Sequence, residues 1–339
     1  MTIYTGTVQT FAMVGIREDL SDVITNISPM EVPFYSMARK GTAKNRSPEW
    51  MKDTLAAPDP ANATIEGDDI AAGNTMVQPS RLKNFVQLFD KVVVVSDTSQ
   101  AVDAAGRSSE LKYQVAKSGK ELKRDIEMRI TGNFSSLVGN STTAGQLAGA
   151  PSWITSNVSR GASGASGGFQ SGTGLTHAST DGTPRAFTET LLKSVIKDAW
   201  NSGGEPDTVM MTGTKKQTAS TFAGIASLQN DVNGQNKVMI YGAADVYKSD
   251  FGTHKLVPNR FMGAGVVEHT GSARSATNGL YAGLEALVLT PSTWELKFLQ
   301  AMSTIELART GHAEKRLLKC ELTLCCKDEA ANGVVADLS

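Results

Sequence analysis

SSELKYQVAKSGKELKRDIEMRIT, residues 108–131, decides how the rest of the chain is read. Leu111, Val115, Leu122, Ile126 and Ile130 recur at intervals of four, seven, four and four. On a helix of 3.6 residues per turn these positions stack into one narrow apolar stripe, and charged residues take the remaining faces. Ser108 or Ser109 can cap the start and Gly132 can close the end. At 1.5 Å per residue the helix runs about 36 Å. Such length with so thin a seam predicts a strut.

Upstream, EWMKDTL (49–55) and RLKNFVQLFDKVVVVS (81–96) read as strands, rich in aromatic and β-branched residues. Between them AAPDPANATIEGDDIAAGNTMVQPS carries three prolines, two glycines and an acidic balance. A connection this long is uncommon inside a compact domain. Residues 48–95 therefore predict a two-stranded flap, which cannot bury its own surface and needs something else to lie on. Residues 1–47 read as an arm. REDLSDVITNI (17–27) predicts a short helix with Leu20, Val23, Ile24 and Ile27 on one face. Pro29 and Pro33 then favour extended chain. The basic ARKGTAKNR (38–46) reads as a solvated turn.

Downstream, residues 138–184 are poor in charge and rich in Gly, Ser and Thr, most extremely at RGASGASGGFQSGTG (160–174). That is the composition of a linker or surface insertion, with APSWITSNV anchoring locally through Trp153 and Ile154. Regular structure returns at FTETLLKSVIKDAWNSGG (187–204). Thr188 is the expected N-cap, Phe187 and Leu192 a hydrophobic staple, and Gly203-Gly204 the stop. DTVMM (207–211) predicts a buried strand followed by a helix from about Thr214. Strands are expected near 238–241, 246–249, 254–258 and 285–290. The fold class is α+β.

The chain has 339 residues, 40% hydrophobic and 20% charged, with net charge −1. This is an ordinary globular balance, and it gives no overall pull toward nucleic acid or an anionic membrane. No basic-then-apolar leader and no membrane-length apolar run is present. The three cysteines, Cys320, Cys325 and Cys326, fit a reducing compartment rather than a disulfide framework.

Three motifs invite a catalytic or metal reading, and each fails on context. Asp250-Phe251-Gly252 has the letters of the magnesium-holding kinase turn. The Gly-rich loop and strand lysine are missing, and the nearest H-R-D analogue, Lys123-Arg124-Asp125, falls inside the strut helix. Asp-Phe-Gly-Thr is also a good hairpin turn. His312-Ala-Glu314 with downstream cysteines resembles a zinc deaminase pattern, but Cys325 and Cys326 are adjacent on a strand and point to opposite faces. Gly164-Ala-Ser166-Gly-Gly168 fits a nucleophile elbow by letter while lying in low-complexity sequence. The histidines, His177, His254, His269 and His312, are scattered. Neither a catalytic set, nor a metal, nor a cofactor is expected.

Three segments in order carry a resemblance: PFYSMARKGTAKNRSPEWMKDTLAAP (33–58), YKSDFG followed by HKLVPNRFM (247–262), and ELARTGHAEKRLLKCELTL (306–324). The chain resembles the major capsid proteins of tailed bacteriophages. That resemblance implies the Hong Kong 97-type fold, with residues 1–47 as arm and 48–95 as extended loop. It also implies 96–137 with 291–339 as a peripheral domain carrying the spine helix, and 185–290 as an axial domain. The implied function is a subunit that self-assembles into an icosahedral shell of pentamers and hexamers around phage double-stranded DNA. Implied partners are further copies of the chain, a separate scaffolding protein, a portal protein, a decoration protein and, without sequence preference, packaged DNA. The implied location is the virion, after synthesis in the host bacterial cytoplasm. Lys52, Lys83 and Lys91 lie in the flap, but with no crosslinking partner assignable, covalent crosslinks are not expected. Trp50, a large aromatic in an otherwise exposed strand, is the expected interface anchor, with packing on its own chain as the alternative. Asp53, Arg81, Phe85 and Phe89 are taken as interface residues beside it. An encapsulin-like nanocompartment shell of the same fold is the neighbouring alternative, and an unrecognised hydrolase or transferase the enzymatic one.

Overall fold

The computed structural model describes residues 31–63, 65–67, 78–102, 109–222, 245–262, 285–309 and 311–339. The expected arm helix at 17–27 and the strand near 238–241 lie outside these residues. The described chain opens with a short helix α1 (Pro33–Met37), then β1 (Arg39–Thr42), β2 (Glu49–Lys52), β3 (Ser80–Lys83) and β4 (Gln87–Ser96). A turn of helix α2 (Asp97–Ala101) precedes the strut, α3 (Glu110–Thr131). The glycine-rich region holds α4 (Ala150–Trp153), β5 (Val158–Ser159), β6 (Gly168–Gln170) and β7 (Leu175–His177). Next come α5 (Glu189–Asn201), β8 (Thr208–Met211), α6 (Gly213–Ser220), β9 (Val246–Ser249), β10 (Gly252–Pro258) and β11 (Ala286–Leu289). Two long strands, β12 (Trp294–Leu307) and β13 (Ala313–Cys326), and a short β14 (Gly333–Val335) complete the chain.

The strut forms as its spacing demands. Ser109 caps it, its hydroxyl accepting the Lys112 N–H at 3.4 Å, and Leu111, Leu122, Ile126 and Ile130 are buried while Val115 is partly so. Burying each of these side chains stabilises the fold by about 2 kcal/mol. The helix stops at Gly132 in extended rather than left-handed conformation. Glycine is required there by crowding: a Cβ would run into the Phe134 ring, and one on Gly149 would overlap the Gly132 carbonyl.

The strut lies on a four-stranded sheet of order β1-β12-β13-β4. A six-stranded sheet of order β5-β14-β11-β8-β10-β9 adjoins it. The alternation of side chains along a strand divides the second sheet between two cores. Met210, Leu287, Leu289 and Val334 face the cluster that holds the strut and Trp294. Their neighbours Val209, Met211, Ala286, Val288 and Val335 face the cluster built on Leu192, Val195 and Ile196 of α5. The Asp250-Phe251 turn joins β9 to β10, with Gly252 at φ +143° paired to Ser249. It is the structural hairpin its residues predicted.

Four local expectations are corrected. The basic stretch 38–46 is not solvated turn throughout, because its first half is β1, an edge strand pairing in parallel with Glu295–Phe298 of β12. The run 81–96 is two strands rather than one. Ser80–Lys83 pairs with β2 in the flap, and Gln87–Ser96 pairs with β13 in the four-stranded sheet. The break falls at Asn84, whose buried amide donates to the Leu324 carbonyl (2.8 Å) and accepts from Phe85 and Ala148 N–H groups. Residues 138–184 are not simply a surface insertion, since Leu147, Ala148, Ala150, Trp153 and Ile154 are all buried in the main core. Thr188 is the N-cap residue of α5 by position, but its side chain makes no capping bond.

Candidate assembly surface

A flap needs a root, and Trp50 supplies it. In the β2–β3 pair Trp50 sits opposite Leu82. Its indole N–H donates to the Cys326 carbonyl at 2.8 Å, and its ring packs against Trp153 at 5.5 Å, which in turn stacks on Phe169 at 5.9 Å. Lys52 pairs with Asp328 at 2.7 Å on the same side. The half-buried Trp50 is thus fixed to its own chain, through residues 150–170 and the end of β13. Above this root, among the described residues, the flap's apolar side chains stand largely exposed: Met51 is 74% exposed, Leu55 99% and Ile65 79%.

The other expected interface residues separate by environment. Asp53 is exposed, and its carboxylate accepts the Thr54 N–H. Arg81 is exposed and paired with Glu49 across the flap at 3.1 Å. Phe85 and Phe89 are buried in the chain's own core, so neither offers a side chain to a neighbour. Phe85 lies in the tightly bonded break after β3, where its carbonyl accepts the Thr323 hydroxyl at 2.9 Å. Phe89 shares the inward phase of β4 with Val93 and Val95. The opposite phase was missed: Leu88, Val92 and Val94 are each more than half exposed. Across the sheet Val92 registers with Leu317 of β13, and Leu317 with Ile305 of β12, so an apolar row crosses its outer face. The signal for it lay in the period-2 alternation of Gln87–Ser96, which was not used to assign faces.

Arm, strut and second sheet meet at Glu127, a residue the apolar periodicity did not single out. Its buried carboxylate accepts the Phe34 and Tyr35 N–H groups, each at 2.7 Å, and the Asn259 amide at 2.7 Å. The first two are orphan donors of α1, so Glu127 caps that helix from another element. Burial pushes this carboxyl above its ordinary value, against the pull of those donors and of Lys40. Lys40 lies over the Tyr35 ring at 4.1 Å and donates to the Tyr35 and Ala38 carbonyls. Burial brings it down to about 8, opposed by Glu127.

The catalytic motifs do not converge. Lys123-Arg124-Asp125 lies on α3, and Asp250 is in the β9–β10 turn. Ser166 is followed by the β6–β7 hairpin rather than a helix. Cys320, Cys325 and Cys326 are buried free thiols; burial raises Cys320 to about 11 and Cys325 to about 12, and pushes Cys326 well above its ordinary value. Such thiols are poor nucleophiles and poor ligands. Among the described residues no group of three His, Cys, Asp or Glu side chains is placed to hold a metal.

The SU10 major capsid protein family model matches residues 2–339. The chain belongs to that family. It is a phage major capsid protein, a structural component of the virion capsid, with the Hong Kong 97-type fold. This SU10-family protein is 26% identical over 362 residues to the major capsid protein of Escherichia phage Phieco32, covering 95% of this chain and 94% of that one. Two solved structures share the fold across nearly the whole length. A chain from Gordonia phage Cozz has TM-score 0.58 at 12% identity, covering 99% and 97% of the two chains. The capsid of a native GTA particle has TM-score 0.59 at 10% identity, covering 99% and 100%. The SrpI encapsulin complex of Synechococcus elongatus is similar at TM-score 0.55 and 10% identity, covering 98% and 96%. Among the described residues of the SU10-family protein, no helix is long and apolar enough to cross a membrane.

Proposed function

We propose that copies of this capsid protein form the pentamers and hexamers of an icosahedral shell enclosing phage double-stranded DNA, with each flap lying on a neighbouring copy. The observation that carries the reading is the contrast within the flap. Its root is bonded to its own chain through Trp50, while Met51, Leu55 and Ile65 face outward. Apolar groups held out by a fixed root fit a surface completed by another subunit. The outer row Val92–Leu317–Ile305, flanked by exposed Leu88 and Val94, is a suitable seat. Each such contact is small, and closure of many identical heterologous contacts makes the assembly stable.

In this reading residues 1–47 are the arm, and the flap is 48–83 rather than the expected 48–95, because Gln87–Ser96 joins the four-stranded sheet. The peripheral layer is α3 with the four-stranded sheet. Residues 185–290 form the axial domain, joined by β14. The glycine-rich 138–184 region braces the flap root. The subunit is a wall component without catalytic role, made in the host cytoplasm. A scaffolding protein, a portal and a decoration protein are its expected companions. Replacing Met51 and Leu55 together by Asp tests the reading. The subunit is expected to keep its fold and melting temperature while the yield of closed particles by negative-stain microscopy collapses. Normal particles from this variant would remove the flap from assembly, and an enclosed enzyme in place of DNA would favour the nanocompartment alternative.

A further inference from the structure

Helix α3 has two unlike sides. One carries Leu111, Leu122, Ile126 and Ile130 into the core. The other presents Lys112, Lys117, Lys120 and Lys123, all exposed, over about 17 Å of helix. None of the four has a carboxylate partner among the described residues, because the nearby acids are largely committed elsewhere. Asp125 pairs with Lys91 at 2.9 Å, and Glu110 accepts the Gln114 amide at 2.6 Å. Arg124 lies over the Phe261 ring at 5.2 Å. Glu121 alone remains beside four unpaired ammonium groups. Like charges three residues apart on a helix cost a few tenths of a kcal/mol each. In a chain of net charge −1 this is a local concentration of positive charge, not a general one. The outer face of the sheet is mixed, since Asp90, Lys315, Lys319 and Glu321 share the outward phase with Leu88, Val92 and Val94, whereas the exposed positions of the helix side are dominated by lysine.

We propose that the Lys112–Lys117–Lys120–Lys123 face of α3 is the lumenal surface of the shell wall and contacts the phosphate backbone of packaged duplex DNA. This rests on the reading that the shell encloses DNA. Charge complementarity selects a polyanion as occupant. Lysines are flexible point charges without the planar fork that reads base edges, so the contact is to phosphates and indifferent to sequence.

The test titrates purified subunit with a labelled random-sequence duplex at several salt concentrations, and compares Lys112→Gln/Lys117→Gln/Lys120→Gln/Lys123→Gln with Lys193→Gln/Lys197→Gln/Lys248→Gln/Lys255→Gln. Glutamine keeps helix propensity, so folding is preserved. Each phosphate contact contributes about −0.9 to the slope of log affinity against log salt, so the first variant should flatten that slope by roughly 3 to 4. The second should leave it unchanged. In intact particles the four α3 lysines should acetylate several-fold more slowly when DNA fills the shell than after it is emptied. An unchanged slope, an equal effect of the control variant, or equal acetylation in filled and emptied shells overturns the proposal alone. Particles without nuclease-protected DNA overturn the enclosing reading and the proposal with it.

Discussion

Replacing Glu127 by Ala should loosen the arm from the strut. The carboxylate accepts three hydrogen bonds at 2.7 Å, from the Phe34 and Tyr35 N–H groups and the Asn259 amide, all at a buried site. Each donor left without a partner in the interior costs about 1–3 kcal/mol. The change also relieves the desolvation of a buried carboxylate, which offsets several kcal/mol of the loss. The balance is a destabilisation of about 2–4 kcal/mol, at the lower end if water enters the vacated space. Urea unfolding of the unassembled subunit measures it, and limited proteolysis reports whether cleavage near Phe34 and Tyr35 accelerates first. The pH dependence carries a sign. The folded carboxyl titrates above its ordinary value of 4.5, so the native state holds that proton more tightly than the unfolded chain. Stability is then fully present below about 4.5 and falls as pH rises through the raised folded value. The variant lacks this decline. A loss below about 0.5 kcal/mol with unchanged proteolysis would refute the three-bond cap, as would a wild-type pH slope that survives in the variant.

Two further outcomes follow from the flap root and the thiols. Trp50→Phe should keep the ring on Trp153 and lose the bond to the Cys326 carbonyl, costing about 1 kcal/mol, whereas Trp50→Ala should also free the flap to protease at 49–52. Equal flap proteolysis in both variants and wild type would show that the indole does not hold the root. Cys320, Cys325 and Cys326 should resist a thiol reagent at pH 8 in the folded subunit and react fully in denaturant. Raised folded thiol values mean that stability present below about pH 9 is lost as pH climbs above it. Rapid native labelling would contradict their burial.

The strut, the α5 helix, the buried β8 strand and the Asp250-Phe251 turn were legible because each depends on local periodicity or turn chemistry within one short window. The alternation along β4 was misassigned, with Phe89 expected at an interface, although it lies inside and Val92 outside. Partners distant in sequence were not legible in this way. Trp50 meets Cys326 across 276 residues and Glu127 meets Phe34 across 93, and no spacing rule links such positions. The glycine-rich region shows why composition alone misled. Small residues there permit close backbone approach, as at Gly149 over Gly132, so that Leu147, Ala148 and Ala150 join the anticipated anchors Trp153 and Ile154 in the main core. The sequence by itself determined the strut, α5, β8 and the β9–β10 hairpin, since backbone geometry and side-chain period are local, but not β1 or the break at Asn84, which depend on partners elsewhere in the chain. Tertiary structure alone decided which faces were used up within the subunit and which were left over for a neighbour, because burial is a property of packed elements and not of any one of them.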